Sequence, residues 1–434
     1  MDPVLGFALF IGALLVFLAT GTPVAVATGL LGVLGVLVFL PPAAITQLAT
    51  LAFSQSANFV LVIVPLYVLM GESLAATGIG RVLFLAARIW FRRIPGALAV
   101  GTVFACALFA AVCGSSPVTA ATIGSMAVPE MIRNGYDRRL ALGVTAAGGT
   151  LGILIPPSIP MILYGIITET SIGALFVAGI VPGLMIAIML SATVMLIAWR
   201  RPEAAPKFAG HIRLGDRIAA LKGAGPVILL AFWVLGSIYF GFATPTEAGA
   251  VGAAAALAIA AARRTLGLTA LGNILGATAR TTAMFILLIV SGMFASFVLA
   301  RLGVPQGMAK LLVGLDVAPW VIMVLINVTI MILGMFMDPM SILVIMVPAL
   351  FPSVVALGYD PVWFGVVLTI NIEIAAITPP VGFNLFVLKA VIPNTDMSEI
   401  IRGSLVFIVP LALGIASLIA FPDIALVLPR MMLR

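Results

Sequence analysis

Apolar runs close to or above ~18 residues follow one another along almost the whole chain, each long enough to cross a bilayer as a helix. The polar and helix-breaking positions that separate them occur twice. Gly135-Tyr136-Asp137 and then Pro156-Pro157 are matched by Gly358-Tyr359-Asp360 and Pro379-Pro380, both pairs 223 residues downstream. Ser116-Pro117 is answered by Asp338-Pro339, and Thr22-Pro23 by Thr244-Pro245, each at an offset of 222. Breakers that recur at one offset over half a chain mark a duplicated unit. In a membrane protein, paired interrupted hydrophobic segments point to a transporter's binding site. Each unit is predicted to hold three spans, an interfacial arm, a helical hairpin, a broken span and a final span.

Composition supports the membrane reading. Apolar residues make up 63% of the chain and charged residues 9%, against roughly 25% charged residues in a soluble domain. The first run, residues 4–19, has no basic segment before it and a second run follows at once, so it reads as a span and not a cleaved signal. The net charge of +7 comes from Lys and Arg in loops; it reads as a positive-inside bias, not as nucleic-acid binding. Cys106 and Cys113 lie one heptad apart among apolar residues, without metal-ligand neighbours, and read as buried thiols. The single histidine, His211, falls in a polar loop, which excludes a catalytic or metal-binding histidine within the membrane. There is no Gly-rich phosphate loop, Walker motif or nucleophile–base pair. The chain reads as no enzyme, and ATP is not its energy source.

The basic residues set an orientation. Residues 200–222 carry six Lys and Arg against Glu203 and Asp216, which places this loop in the cytoplasm. Residues 174–199 then run inward, and residues 140–168 run outward from the basic cluster Arg133, Arg138 and Arg139. Residues 95–129 are apolar, yet both flanks are basic. Their second arm, counted to Pro129, is too short to cross. A re-entrant hairpin from the cytoplasm, turning at Gly114-Ser115-Ser116-Pro117, satisfies both observations. The second copy inverts this. Residues 319–352, with a tip at Met337-Asp338-Pro339-Met340, have acidic or neutral flanks and should enter from outside. An odd number of spans between the copies agrees, and leaves the tail with Arg430 and Arg434 outside. Residues 79–93 and 303–315 are amphipathic and read as arms lying in the interface. The first repeat therefore covers residues 1–222, and the second covers 223–434, with a broken helix over 362–388 and a last span over 402–421.

The chemistry is expected where the spans break. Pro156 and Pro157 offer no N–H to the carbonyls of Gly152 and Ile153; Pro379 and Pro380 do the same to Ala375 and Ala376. Carbonyls left loose at mid-membrane call for a polar partner, and several neutral oxygens suit a sodium ion. The hairpin tips add the hydroxyls of Ser115, Ser116 and Ser341 and the carboxylate of Asp338. A carboxylate at that depth is functional by default, and Glu373 is a second one. Helix N-termini meeting at the tips present partial positive charge, suited to an anionic substrate. Glu247, three residues after Thr244, reads as a capping box, and Arg301 as a snorkelling residue.

Several runs are similar to one family. Gly114-Ser115-Ser116-Pro117-Val118-Thr119-Ala120-Ala121-Thr122-Ile123-Gly124, Val128-Pro129-Glu130-Met131 and Thr244-Pro245-Thr246-Glu247-Ala248 resemble the large membrane subunit of TRAP transporters (DctM-like). So do Asn371-Ile372-Glu373-Ile374 and Ile377-Thr378-Pro379-Pro380-Val381-Gly382-Phe383-Asn384. The resemblance covers essentially the whole chain. It implies an all-α polytopic protein of the bacterial inner membrane, an inverted-repeat elevator transporter with two re-entrant hairpins and two broken transmembrane helices. It implies sodium as the coupling ion, no other cofactor, and import of an organic acid such as a C4-dicarboxylate or a sialic acid. The implied partners are a periplasmic substrate-binding protein and a small four-helix membrane subunit, expected as a separate protein because this chain leaves no room for it. Carried onto these residues, the first sodium site would use Ser115, Ser116 and carbonyls near Gly152, Ile155 and Pro157. The second would use Asp338 and oxygens near Ala375, Thr378 and Pro380. Thr119, Ser341, Glu373 and Asn384 are expected to meet the substrate. A stand-alone symporter of the same superfamily would share these features without a binding protein. An ion channel would build its filter by oligomeric symmetry, which an internal inverted repeat disfavours.

Overall fold

A computed structural model describes residues 3–206 and 214–432. His211, Lys207 and Arg213, and Arg434 at the C-terminus, lie outside the described residues. Those described fold into helices and turns. The first half holds α1 (Pro3–Ala19), α2 (Val24–Phe39), α3 (Thr46–Ser56), α4 (Ile63–Ala76), α5 (Ile79–Trp90), α6 (Ala97–Cys113), α7 (Ser116–Arg133), α8 (Arg138–Leu154), α9 (Ile159–Thr168) and α10 (Ile172–Arg200). The second holds α11 (Leu214–Tyr239), α12 (Pro245–Ala262), α13 (Leu268–Arg301), α14 (Val304–Val313), α15 (Pro319–Gly334), α16 (Pro339–Ala356), α17 (Pro361–Ala376), α18 (Phe383–Val391), α19 (Met397–Ala420) and α20 (Asp423–Met432).

Helix starts follow from local chemistry. The recurring Gly-Tyr-Asp turns place glycine in the left-handed region, with φ +78° at Gly135 and +83° at Gly358, where a side chain is strained. The aspartate two residues on caps the next helix. Asp137 accepts from the Leu140 N–H at 2.9 Å, and Asp360 from those of Val362 and Trp363 at 2.7 and 3.2 Å. The tyrosine Oη of Tyr136 accepts from the Leu98 N–H at 3.2 Å, tying this turn to the start of α6. Thr244 and Glu247 form a capping box at the head of α12. Arg301, exposed at the end of α13, lies 5.3 Å over the Phe297 ring.

Two expectations are corrected. Residues 200–222 are not one loop: from Leu214 the chain is already helical and runs on into α11, because Ile218, Ala219, Ala220 and Leu221 carry good helix formers past the charges. The hairpin arms outrun their prolines. Pro129 sits inside α7, and Pro348 and Pro352 inside α16, each helix having 18 residues. At ~1.5 Å per residue that is about 27 Å, so length alone does not exclude a crossing. The α16 segment is in fact apolar enough to span. Helix α13 has 34 residues, about 50 Å and well beyond a ~30 Å core. Helix α20 follows the last span and has no counterpart in the expected order.

The offset of 222–223 persists in the helices. Helices α6, α7, α8 and α9 begin 222 or 223 residues before α15, α16, α17 and α18, to within a residue. Helices α3 and α4 together occupy the positions equivalent to α13, interrupted by the short 3-10 turn Phe59–Val62. Helices α1–α4 pack with α11–α13, while α6–α10 interleave with α15–α19. The two halves meet closely at α8 and α19: a Cβ on Gly143 would fall inside the Gly403 carbonyl. Arg138 spans the same seam, reaching Glu399 at 3.0 Å and the Thr395 hydroxyl at 3.0 Å. Cys106 and Cys113 are buried free thiols.

Candidate functional site

The first break is wholly inside the protein. Helix α8 ends at Leu154 and α9 starts at Ile159, the two bent by 41°, and residues 151–160 are all buried. Ser158 caps α9, accepting from the Met161 N–H at 3.3 Å. Its own hydroxyl donates to the Ile153 carbonyl. That carbonyl, expected to be loose, is therefore supplied locally by the residue after the prolines.

The tip between α6 and α7 fits against this break. Gly114 turns the chain at φ +65°. A Cβ there would stand 2.5 Å from the Pro157 carbonyl oxygen, and a Cβ on Gly152 2.6 Å from that of Ser115. Only glycine permits so close an approach at either place. The Ile159 N–H donates to the Gly114 carbonyl at 3.4 Å. The Ser115 carbonyl, Gly152 and the Pro157 carbonyl thus converge. Ser116 is fully buried, and its Oγ accepts from Asn384 Nδ2 at 2.6 Å. Thr119, also fully buried, donates to the Ser115 carbonyl at 2.8 Å. Ile155 lies at the break with its side chain against Gly183.

The second break repeats the seam. The Val381 N–H donates to the Met335 carbonyl at 3.2 Å, at nearly the same offset from Ile159 and Gly114. Gly334 brings α15 against α17: a Cβ there would lie 2.7 Å from Ala375 Cβ. Thr378 donates its hydroxyl to the Ile374 carbonyl at 2.5 Å and its N–H to that of Ala375 at 3.2 Å. Pro380 is exposed, unlike Pro157, so this break is open on one side. Asp338 is the N-cap of α16. Its carboxylate accepts from the Met340 and Ser341 N–H groups at 3.0 and 3.2 Å and from the Ser341 hydroxyl. Both predicted polar groups of this tip are turned onto their own helix turn.

Glu373 is completely buried on α17, and neither carboxylate oxygen has a hydrogen-bond partner. The side-chain oxygens of Asn371 and Asn384 are likewise buried and unpartnered. Four such acceptors on one broken helix are unusual, since nearly all buried polar groups find partners. Asn371 Nδ2 donates to the Asn327 carbonyl and side-chain oxygen at 2.8 and 2.9 Å, lacing α17 to α15. Asn327 was missed in the sequence; an amide inside an otherwise apolar run was the available signal. The neutral carbonyl oxygens at the first break are of the chemical type a sodium ion accepts, and the acceptors of Asn371, Glu373 and Asn384 on the second broken helix are left without a donor. At the second tip, Asp338 fits only by leaving some of its capping bonds.

The comparisons agree with this architecture. Residues 11–424 match the family model described as the DctM component of the tripartite ATP-independent periplasmic transporter. The chain is 36% identical to the C4-dicarboxylate TRAP transporter large permease protein DctM of Pseudomonas aeruginosa, over 93% of each chain. It is 34% identical to the sialic acid TRAP transporter large permease protein SiaM of Vibrio cholerae, over 87% of each. Among solved structures, the YdaH transporter of Alcanivorax borkumensis superimposes with a TM-score of 0.64 at 17% identity, covering 96% of this chain and 98% of that one, a likeness of fold alone. The chain belongs to the DctM family, the large permease subunits of tripartite ATP-independent periplasmic transporters, and is a multi-pass protein of the bacterial inner membrane and not an enzyme.

Proposed function

We propose that this permease imports an organic acid by a sodium-driven elevator movement. Substrate is handed to it by a periplasmic binding protein, and a separate small four-helix subunit accompanies it in the membrane. The observation that carries this reading is the paired seam: each interrupted helix is hooked to a tip by one main-chain bond, Ile159 to Gly114 and Val381 to Met335. Helices α7, α9, α16 and α18 all begin at these seams. Their N-termini supply partial positive charge for a carboxylate without a buried arginine. Carboxylates are what the C4-dicarboxylate and sialic acid of the two relatives share.

In this reading the pairs α6–α7 and α15–α16 are re-entrant hairpins entering from opposite faces, and residues 1–222 and 223–434 are inverted repeats. Sodium is held by Ser115, Ser116, Gly152, Ile155 and Pro157 at one seam. At the other it is held by Asp338, Ala375, Thr378 and Pro380. Thr119, Ser341, Glu373 and Asn384 lie toward the substrate. The elements α6–α10 and α15–α19 form the moving body against α1–α4 and α11–α13. The test is uptake of labelled C4-dicarboxylate or sialic acid into proteoliposomes containing all three components. Uptake should require an inward sodium gradient. Full uptake in sodium-free buffer with only a proton gradient would sink the coupling.

A further inference from the structure

A cavity of about 720 Å³ opens where the start of α8, the end of α10 and the start of α19 meet. Arg139, Arg200, Arg201 and Arg402 line it. All four are exposed, and none has an ion-pair or side-chain hydrogen-bond partner among the described residues. The contrast with the adjacent Arg138 is direct, because that guanidinium is held by Glu399, Thr395 and the Asn394 carbonyl. Two carboxylates share the cavity wall, Asp137 and Glu203. Asp137 is engaged in capping α8, so the basic groups dominate the opening.

The position is at the membrane boundary. Trp199, 75% exposed, immediately precedes Arg200, and exposed tryptophans concentrate at the bilayer interface. Below the arginines the wall becomes apolar: Leu196 on α10 and Val406 on α19 line the cavity and are exposed. A basic opening that continues into an apolar, exposed groove matches an amphiphile with an anionic head. We propose that this cavity binds the phosphate headgroup of an anionic phospholipid, its acyl chains lying along Leu196 and Val406. Basic pockets between transmembrane helices on the cytoplasmic side recognise such headgroups. A lipid held there touches both α10 and the α8–α19 pair joined at Gly143 and Gly403.

The experiment uses the full chain purified in neutral detergent, with phosphatidylglycerol titrated and bound lipid counted by native mass spectrometry. Phosphatidylcholine is the neutral comparator. Phosphatidylglycerol should be retained in preference, and the double variant Arg200→Gln/Arg402→Gln should weaken its binding roughly thirty-fold, from the interaction expected per basic residue near a headgroup. The charge-matched control Arg92→Gln/Arg93→Gln, on the same basic side, should leave binding near the wild-type value. Equal loss in both double variants, or no preference for phosphatidylglycerol, would overturn the site. Displacement of the lipid by millimolar inorganic phosphate or sn-glycerol 3-phosphate would also overturn it, in favour of a soluble anion. Should the glutamine variant fail to fold, Arg200→Lys/Arg402→Lys keeps both charges; it should retain the preference, and its loss there counts against the proposal.

Discussion

Asn384 Nδ2 donates to Ser116 Oγ at 2.6 Å, although the two residues are 268 apart in sequence. One stands on the second half of the second broken helix, the other on the first hairpin tip. Both are fully buried. The bond joins the two halves at the place where the first candidate ion site is built.

Breaking that bond tests whether it orients the site. Ser116→Ala should cost about 1 kcal/mol of stability, the net value of one buried hydrogen bond, with a further penalty for the unpaired amide. It should also raise the sodium concentration for half-maximal uptake. Asn384→Ala combined with Ser116→Ala should be clearly non-additive in thermal unfolding. Additive losses would mean that the contact carries no coupling.

Asp338 separates capping from ion binding. Asp338→Asn keeps an N-cap acceptor, so stability should change by a few tenths of a kcal/mol, whereas Asp338→Ala should lose about 1 kcal/mol. If the carboxylate holds sodium, Asp338→Asn still raises the half-maximal sodium concentration markedly. Glu373→Gln is the counterpart. Unchanged sodium dependence in Asp338→Asn, with dependence lost in Glu373→Gln, moves the second ligand to Glu373.

The orientation of the halves can be read with a membrane-impermeant thiol reagent. The native thiols at Cys106 and Cys113 are buried, so they give little background. Arg133 and Ala356 are exposed positions at the ends of α7 and α16, 223 residues apart. Cysteines there avoid the positive-φ glycines that follow. Arg133→Cys should label from the cytoplasm and Ala356→Cys from the periplasm. Labelling of both from one face contradicts inverted repeats.

Gly403→Ala tests the seam between α8 and α19. The added methyl has no room against the Arg139 carbonyl, and overpacking of this kind costs about 1–3 kcal/mol. Gly236→Ala, in α11 with open space around it, should be neutral or gain up to ~1 kcal/mol from helix propensity. Equal melting temperatures for the two variants would show that the seam yields.

Much of this protein was legible from one dimension. Long apolar runs can only be helices in a bilayer, since every main-chain polar group must be satisfied within the segment. Prolines and glycines at a common offset then placed the breaks, and Thr244 with Glu247 gave a capping box on spacing alone. Helix ends were less legible. Pro129 and Pro352 read as the ends of the hairpins, yet both lie inside helices that run on past them. The fate of single oxygens was not legible at all. Whether the Ile153 carbonyl stays loose depends on the rotamer of Ser158, and whether Asp338 faces an ion depends on the turn it caps. The sequence determined by itself the helices, the repeat and the family, because these follow from local periodicity and motif order. Only the tertiary structure decided that Ser116 meets Asn384, that Gly143 meets Gly403 and that Glu373 is left without a partner, because contacts between distant segments are set by three-dimensional packing, which no local pattern encodes.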